Sequence, residues 1–237
     1  MAGKKKCRQS WMPLDCENQP RMENKNSALP TEGSYRGFEL AYKLACEQLT
    51  KIDDMKGQCQ KSGARYLEID SQQAIIVEYL NNSYQVTLPK VDVSLVDSPE
   101  EVPIKDKVLI LHYLALAKGT PIANKMITFK ELPEGGNYFP TFSNRTIKPL
   151  LDHFGSEPYR LVAAAAKLGG HKADYGDVAV TINAFSYVPI TLVLWRGDEE
   201  FAPSGSIIFD ATISDYLSTE DITVLCEIIT WKLVKPD

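Results

Sequence analysis

Four carboxylates surround a turn in the stretch LWRGDEEFAPSGSIIFD, residues 194–210. Asp198, Glu199 and Glu200 are consecutive, and Asp210 follows a Pro-Ser-Gly turn and a short apolar run. Converging carboxylates can perform general acid–base catalysis or bind hard metal ions. Because neighbours in an extended chain point to opposite sides, only alternate members could share a face. The pattern is compatible with a site formed by Asp198 and Asp210, but it favours the solvated turn of a hairpin.

Three histidines are the other candidates for acid–base or ligand chemistry. His112 lies inside the apolar run LILHYLAL, where a buried imidazole must form at least one hydrogen bond. The pattern favours a satisfied core histidine over a ligand or proton donor that faces a pocket, although His is well suited to both roles. His153 is expected near a helix end before Gly155, and His171 is expected in a surface loop.

Aromatic residues cluster in GGNYFPTFSNR, residues 135–145, which the Gly pair and Pro140 lead us to predict as a loop. It holds Tyr138, Phe139 and Phe142, followed by Arg145. Exposed aromatic rings beside an arginine can line a site for a planar or anionic ligand. Aromatic residues that pin a loop to the core would give the same pattern, and the sequence does not separate the two interpretations.

Composition narrows the class of protein. The chain has 237 residues, a formal net charge of −5 and a pI near 5.4, so it lacks the basic field of a general nucleic-acid binder. No apolar run reaches the roughly 20 residues of a membrane span, and no apolar segment follows the basic N-terminus as in a secretory signal. We therefore expect a cytoplasmic protein without nucleic-acid or membrane partners. The usual nucleotide, zinc-protease and hydrolase motifs are absent.

The five scattered cysteines argue against a disulfide framework in a cytosolic chain. Cys7 and Cys16 do not have the spacing of a metal finger. Cys226 falls on the apolar face of a predicted helix and is expected to behave as a small core residue.

Residues 1–33 are polar and show little hydrophobic periodicity, so they are predicted to form a flexible leader. The periodicity that begins at residue 34 predicts a single domain over residues 34–237. The first helix is expected to start with Ser34 as its cap and to end near Gly57. The runs ARYLEI, AIIVEYL and SYQVTL then predict an antiparallel meander. Pro103 and Gly119 delimit a deeply buried helix.

Two shorter helices, IKPLLDHFG and EPYRLVAAAAKLGG, are predicted after the aromatic segment. Strands follow from residue 178, and ITLVLW is apolar on both faces, as in a central strand. Ser218 and Asp221 predict a capping box at the start of a last helix. Helices and strands are grouped rather than alternating, so the sequence predicts an α+β fold of mostly antiparallel sheets packed with several helices.

Several blocks together resemble one family: FELAYKLACEQL, VPIKDKVLILHYLALAKGTPI, ITFKELPEGGNYFPTF and the long block from VPITLVLWRGDEEF to ITWKLV. They are similar to the bacterial and archaeal domain of unknown function family 3786. The resemblance covers roughly Ser34 to Lys235. It implies no established activity. It does imply a context, because members occur beside a four-cysteine iron–sulfur module of the kind found in corrinoid/iron–sulfur proteins of anaerobic one-carbon metabolism.

This leader has only Cys7 and Cys16, so an iron–sulfur cluster, which takes four thiolates, is not expected in this chain. The resemblance favours a non-catalytic binding or accessory module for a corrinoid or haem-like cofactor system in anaerobic metabolism, with a corrinoid or iron–sulfur protein as a possible partner. A carboxylate- and metal-dependent enzyme built on Asp198 and Asp210, or a protein–protein adaptor, are the alternatives. The residues expected to bind a cofactor are His112, Tyr138, Phe139, Phe142, Arg145, Trp195, Asp198 and Asp210.

Overall fold

The computed structural model describes residues 32–69 and 72–235, and the predicted leader therefore falls almost entirely outside the described residues. These residues form helices and two antiparallel sheets, so the α+β prediction is confirmed. The α-helices are α1 Glu32–Thr50, α2 Met55–Ser62, α3 Ile104–Leu116, α4 Gly135–Arg145, α5 Ile147–Phe154, α6 Arg160–Ala166 and α7 Thr219–Val234. The strands are β1 Arg65–Ile69, β2 Gln72–Tyr79, β3 Asn82–Leu88, β4 Asp92–Leu95, β5 Met126–Thr128, β6 His171–Ala173, β7 Val178–Phe185, β8 Val188–Trp195 and β9 Ser204–Asp210.

The first sheet is the predicted meander, in the order β1-β2-β3-β4. The three predicted strands are confirmed, and β4 extends the sheet by one strand that the sequence pattern did not reveal. The β2–β3 turn holds Leu80 and Asn81 at positive φ, as a tight hairpin requires. The Leu80 amide also donates to the Ala184 carbonyl on β7, so this turn joins the two sheets.

The second sheet has the order β5-β9-β8-β7-β6. Its middle strand is β8, in which Ile190, Leu192 and Leu194 alternate with Thr191 and Val193, and all five are buried. Burial on both faces explains the continuous apolar run and confirms β8 as a central strand. Helix α5 packs against β9 and α6 packs against β7.

The N-terminal helical region differs from its prediction. Helix α1 begins at Glu32 and ends at Thr50, so the prediction of Ser34 as its cap is wrong. Gly57 lies inside α2 rather than at the end of α1, because Asp54 starts a new helix. The Asp54 carboxylate accepts the Gly57 amide hydrogen at 2.8 Å, and this interaction satisfies one of the free amides of a helix start.

Helices α3 and α7 lie antiparallel in the core. Asp106 near the start of α3 is close to Lys232 near the end of α7, and His112 near the end of α3 contacts Asp221 at the start of α7. Pro103 directly precedes α3, and the predicted capping box at Ser218 and Asp221 is confirmed. These two helices therefore bring residues from distant parts of the sequence side by side.

An aromatic cluster joins α3 to both sheets. The Tyr113 ring on α3 stacks on Phe185 of β7 with centroids 4.0 Å apart, and Phe185 in turn packs against Tyr79 of β2 at 4.8 Å. All three side chains are fully buried. Large aromatic rings bury more apolar surface than any other side chains, so this cluster fixes the relative position of the two sheets.

The predicted aromatic loop is wrong, because residues Gly135–Arg145 form helix α4. The Gly pair lies at its first turn and Pro140 lies within it. The helix forms nevertheless because Phe142 is fully buried and stacks on Phe129 at 3.8 Å, so tertiary packing outweighs the poor local propensity. The two shorter helices that were predicted to follow are confirmed as α5 and α6.

Candidate functional site

A cleft of about 790 Å³ opens between α4 and the outer face of α7, and the first turns of α3 and part of α1 close its other side. This volume falls within the range of small-molecule and cofactor sites. The side chains that line it come from four helices and are Phe38, Lys105, Glu134, Asn137, Tyr138, Arg145, Thr219, Glu220, Thr223, Val224 and Glu227.

Helix α4 supplies one wall of the cleft. Tyr138 and Arg145 are seven residues apart, which places them on one face of the helix, and both line the cleft. Tyr138 remains 43% exposed. Phe142 instead points into the core against Phe129, and the ring of Phe139 lies under the Lys130 ammonium group at 4.4 Å. Of the four residues predicted in this segment, Tyr138 and Arg145 therefore line the cleft, whereas Phe139 and Phe142 pack against other side chains.

The cleft carries charges of both signs. Lys105 on α3 and Arg145 on α4 are its cations, and neither forms an ion pair with any described residue. Lys105 lies over the Phe38 ring at 5.2 Å instead. The acidic side chains Glu134, Glu220 and Glu227 lie along the same cleft. Two cations on different walls, neither paired with a carboxylate within residues 32–69 and 72–235, are suited to the anionic groups of a ligand.

His112 lies beside this cleft rather than in its lining. Its Nδ1 atom is 2.7 Å from Oδ1 of Asp221, whose neighbours Thr219 and Glu220 do line the cleft. The second carboxylate oxygen of Asp221 accepts a hydrogen bond from the Ser218 hydroxyl at 2.6 Å. The His112 side chain is 26% exposed, and no described residue forms a hydrogen bond with its Nε2 atom. The prediction that the His112 ring forms at least one hydrogen bond is therefore met by Nδ1.

The charges of this pair support each other. The hydrogen bond with Asp221 raises the pKa of His112 above its ordinary value, against the effect of burial, and the negative charge of Glu220 acts in the same direction. Burial acts to raise the pKa of Asp221, but the hydrogen bonds from His112 and Ser218 outweigh it, and this pKa lies below its ordinary value. Asp221 is thus ionised near neutral pH and can hold the proton on Nδ1.

Asp198 is a turn residue. Its carboxylate accepts the amide hydrogens of Glu200 at 2.9 Å and of Phe201 at 2.8 Å. These hydrogen bonds lower its pKa. The turn, with Arg196 and part of the α5–α6 connection, lines a separate depression of about 370 Å³. The hairpin prediction for this stretch is confirmed, because β8 and β9 pair from Trp195 and Ser204 onward.

Asp210 lies at the other end of β9 and is 2% exposed. Its Oδ1 atom accepts the amide hydrogens of Ala123 and Thr212 and the Thr212 hydroxyl hydrogen. Burial acts to raise its pKa, but these hydrogen bonds outweigh it and the pKa is lowered. The length of β9 separates Asp210 from Ser204 by about 20 Å, so the structure does not bring Asp198 and Asp210 into one site.

The remaining candidates lie outside the cleft. Trp195 is 41% exposed at the turn end of β8. His153 is exposed near the end of α5, as predicted, whereas His171 begins the edge strand β6 instead of lying in a loop. Within the described residues, no group of three or more His, Cys, Asp or Glu side chains could hold a metal ion.

Sequence reasoning missed several residues of the cleft, including Phe38, Lys105 and Glu227. Phe38 is one of several apolar residues at helical spacing, which is typical of any amphipathic helix, and the two charged residues carry no local signal, because a charge on a helix surface is ordinary. Only the approach of α1, α3, α4 and α7 gives them a common surface.

The fold and the cleft define an α+β protein with an open, mixed-charge site between helices. The family described as "Domain of unknown function (DUF3786)" matches residues 54–231, so the chain belongs to this family. The block FELAYKLACEQL, which contributed to the resemblance, precedes the matched range. No curated protein and no solved structure matches the chain. None of the helices in the described ranges has the length and apolar character needed to cross a membrane.

Proposed function

We propose that this protein is a binding or accessory module that holds a tetrapyrrole-type ligand, of the corrinoid or haem class, in the cleft between α4 and α7. The observation that carries the proposal is the cleft of about 790 Å³ with Tyr138 on one wall and, on two walls, the cations Lys105 and Arg145, which form no ion pair with the residues that the structure describes. Its volume and mixed lining fit a ligand that is largely apolar with a few polar groups.

The chemistry of the lining supports this class of ligand in two ways. The exposed face of Tyr138 offers a flat surface for stacking on a planar ring system. Lys105 and Arg145 could each pair with a peripheral carboxylate or accommodate an amide side chain of the macrocycle. The role in a cofactor system of anaerobic metabolism, and a corrinoid or iron–sulfur protein as partner, belong to the same proposal and rest on the resemblance described above, not on the family match itself.

Absorption titration with hemin and with hydroxocobalamin tests the proposal. We expect saturable binding of at least one ligand. Arg145→Ala should lower the affinity by about tenfold or more, since a charge-assisted contact contributes about 1.5–3 kcal/mol. Tyr138→Ala should lower it by about two- to tenfold, since ring stacking contributes about 0.5–1.5 kcal/mol. The matched controls are Tyr175→Ala, at a tyrosine with the same 43% exposure outside the cleft, and Arg65→Ala on the edge strand β1. Unchanged spectra at high micromolar ligand, or equal losses in the control variants, would contradict the proposal.

A further inference from the structure

The cleft continues into a second depression that lies along α1. This depression has a volume of about 460 Å³, and Phe38 and Lys105 line both it and the cleft. Tyr42 of α1 and residues 101–104, which lead into α3, form its other walls. The two depressions therefore form one groove, the helical groove, which runs from the outer face of α7 across the first turn of α3 to α1.

The N-terminal part of the chain joins the fold at one end of the helical groove. Helix α1 begins at Glu32, and Phe38 follows six residues later, a rise of about 9 Å. The helix packs along α3, so it already covers one side of the groove. Residues 1–31 lie outside the described residues and lead directly into α1. A segment that is joined to α1 is thus tethered beside the groove, and a short tether gives an effective concentration in the millimolar range.

The charge of the chain is divided unequally between this segment and the rest. Residues 1–31 contain six Lys or Arg and three Asp or Glu, a net charge of +3, whereas residues 32–237 contain 20 and 28, a net charge of −8. Four of the six cations lie in the run KKKCR, residues 4–8. The apolar run WMPL, residues 11–14, follows closely. The segment 4–14 therefore combines a cationic block with an apolar block.

The α4–α7 end of the helical groove complements the cationic block. Glu134, Glu220 and Glu227 line this end, and none of them forms an ion pair within the part of the chain that the structure describes. Arg145 is the cation at this end, and Lys105 lies where the two depressions meet. Three carboxylates against one arginine favour a cationic partner, because complementary charges select the partner and its orientation.

The α1 end of the helical groove complements the apolar block. Phe38 and Ile104 line it and are only partly buried. The cations at this end are held against other side chains, since Lys105 lies over the Phe38 ring at 5.2 Å and Lys107 pairs with Asp92 at 3.1 Å. The stems of such lysines add apolar surface to the wall. This end can thus bury an apolar segment.

We propose that the segment 4–14 of this chain docks in the helical groove, with its basic run on the carboxylates of the α4–α7 end and its apolar run over Phe38 and Ile104. Residues 15–31 form the connection to α1. A random coil of this length spans roughly 20–25 Å, which covers the two helix-to-helix steps of about 8–10 Å each that the groove crosses. The docked segment would cover the cleft, so entry of a ligand would require its release. This inference goes beyond the proposed function, because it concerns the chain alone and needs no ligand.

Trypsin cleavage after Arg8 measures the release of the segment, because a protease cuts the undocked form. The rate in the full chain is compared with the rate at the same bond in a synthetic peptide of residues 1–20. We expect the full chain to be cleaved about two- to tenfold more slowly, since cleavage follows the population of the released form. The double substitution Glu134→Lys/Glu220→Lys should remove most of this protection, and so should a salt concentration of about 1 M, which screens exposed charges.

The matched control is Glu199→Lys/Glu200→Lys, which makes the same change of charge at two exposed residues of the β8–β9 turn, outside the helical groove. It should change the rate by less than about 1.5-fold, because exposed charges more than about 10 Å apart are largely screened. A circular dichroism melt of each variant establishes that it is folded, and Glu134→Gln/Glu220→Gln repeats the test without a reversal of charge.

A charge exchange tests the pairing directly. Replacement of Lys4, Lys5 and Lys6 by Glu in the Glu134→Lys/Glu220→Lys chain should restore protection at Arg8, because the two sets of charges are exchanged. Cleavage of the wild-type chain at the rate of the peptide, or equal acceleration in the groove and control variants, would overturn the inference. Protection that increases with protein concentration would also overturn it, since it would show docking in a second copy. No cofactor is present in these experiments, so a negative result leaves the proposed function untouched.

Discussion

The backbone of Gly135 lies so close to Phe129 that a Cβ atom at residue 135 would be 1.9 Å from the Phe129 carbonyl oxygen. This approach seats the first turn of α4, and hence one wall of the cleft, on the 3₁₀-helix Phe129–Glu131. At the adjacent Gly136, the nearest atom to a new Cβ would be 3.9 Å away. Of these two neighbouring glycines, only Gly136 has room for a Cβ atom.

Gly135→Ala is expected to lower the free energy of unfolding by more than about 1 kcal/mol, because backbone must shift to admit the methyl group. Gly136→Ala should be neutral or stabilise the protein by about 0.4–1 kcal/mol through the reduced entropy of the unfolded chain. Urea unfolding of both variants measures the difference. Equal effects of the two substitutions would show that the close approach to Phe129 does not constrain α4.

Phe142→Ala tests whether buried stacking holds α4 in place. The ring is fully buried against Phe129, so its removal should cost about 3–5 kcal/mol of unfolding free energy. Phe201→Ala is the matched control, because that ring is 69% exposed and its loss should change stability by less than about 0.5 kcal/mol. A loss at Phe142 no larger than that at Phe201 would contradict the packing described for α4.

Tyr79→Phe removes the hydroxyl group that donates a hydrogen bond to the buried carboxylate of Asp106. The Tyr79 hydroxyl donates to Oδ1 of Asp106 at 2.7 Å, and both side chains are buried. Leaving this carboxylate oxygen without its donor should cost about 1–3 kcal/mol in urea unfolding. The adjacent Tyr84, whose hydroxyl forms no hydrogen bond with the described residues, provides the control Tyr84→Phe. Similar losses in the two variants would argue against a specific Tyr79–Asp106 interaction.

Asp221→Asn is expected to lower the pKa of His112, since the carboxylate is the main cause of its elevation above 6.5. The imidazole resonances in an NMR titration report this pKa directly. Asp215→Asn is the control, because Asp215 pairs with Lys118 rather than with a histidine. A pKa of His112 that is the same in the wild-type chain and in Asp221→Asn would contradict the pairing.

The same pair predicts how stability depends on pH. His112 has a raised pKa in the folded state, so its contribution is complete below 6.5 and is lost as the pH rises through the folded value. Asp221 has a lowered pKa, so its contribution is present above 3.8 and is lost as the pH falls through the folded value. The difference in unfolding free energy between the wild-type chain and Asp221→Asn should therefore be largest between pH 3.8 and 6.5. If the difference in unfolding free energy were larger above pH 6.5 than within this window, the predicted directions of the two pKa shifts would be wrong.

Asp198 and Asp210 are expected to act independently. Asp198 lies in the turn before β9 and Asp210 is the last residue of that strand, so the decreases in Tm caused by Asp198→Ala and Asp210→Ala should add in the double variant. Asp210→Ala alone leaves three buried or half-buried donors without their acceptor, and should cost about 1–3 kcal/mol or more. A double variant no less stable than Asp210→Ala, or a Tm of the wild-type chain that rises with Mg²⁺ and not in Asp198→Ala, would revive a shared carboxylate site.

The pattern of residues determined much of the fold. Short runs of β-forming residues predict β2, period-two alternation predicts β3 and β7, the continuous apolar run predicts the central strand β8, and Ser218 with Asp221 predict the start of α7. These signals are local, because a strand or a helix cap depends on residues only a few positions apart. The pattern failed at α4, where Gly135, Gly136 and Pro140 suggested a loop and distant packing on Phe129 decided for a helix.

The site was decided by the tertiary structure. The sequence identified His112, Tyr138 and Arg145 as candidates, but not Asp221 as the partner of His112, which lies 109 residues away along the chain. It also named Asp198 and Asp210 as candidates for one shared site, but the length of β9 separates them. Side-chain type and spacing specify what a residue can do, whereas convergence depends on which helices pack together, and burial of apolar faces throughout the chain determines that packing. The cleft between α4 and α7 exists for this reason.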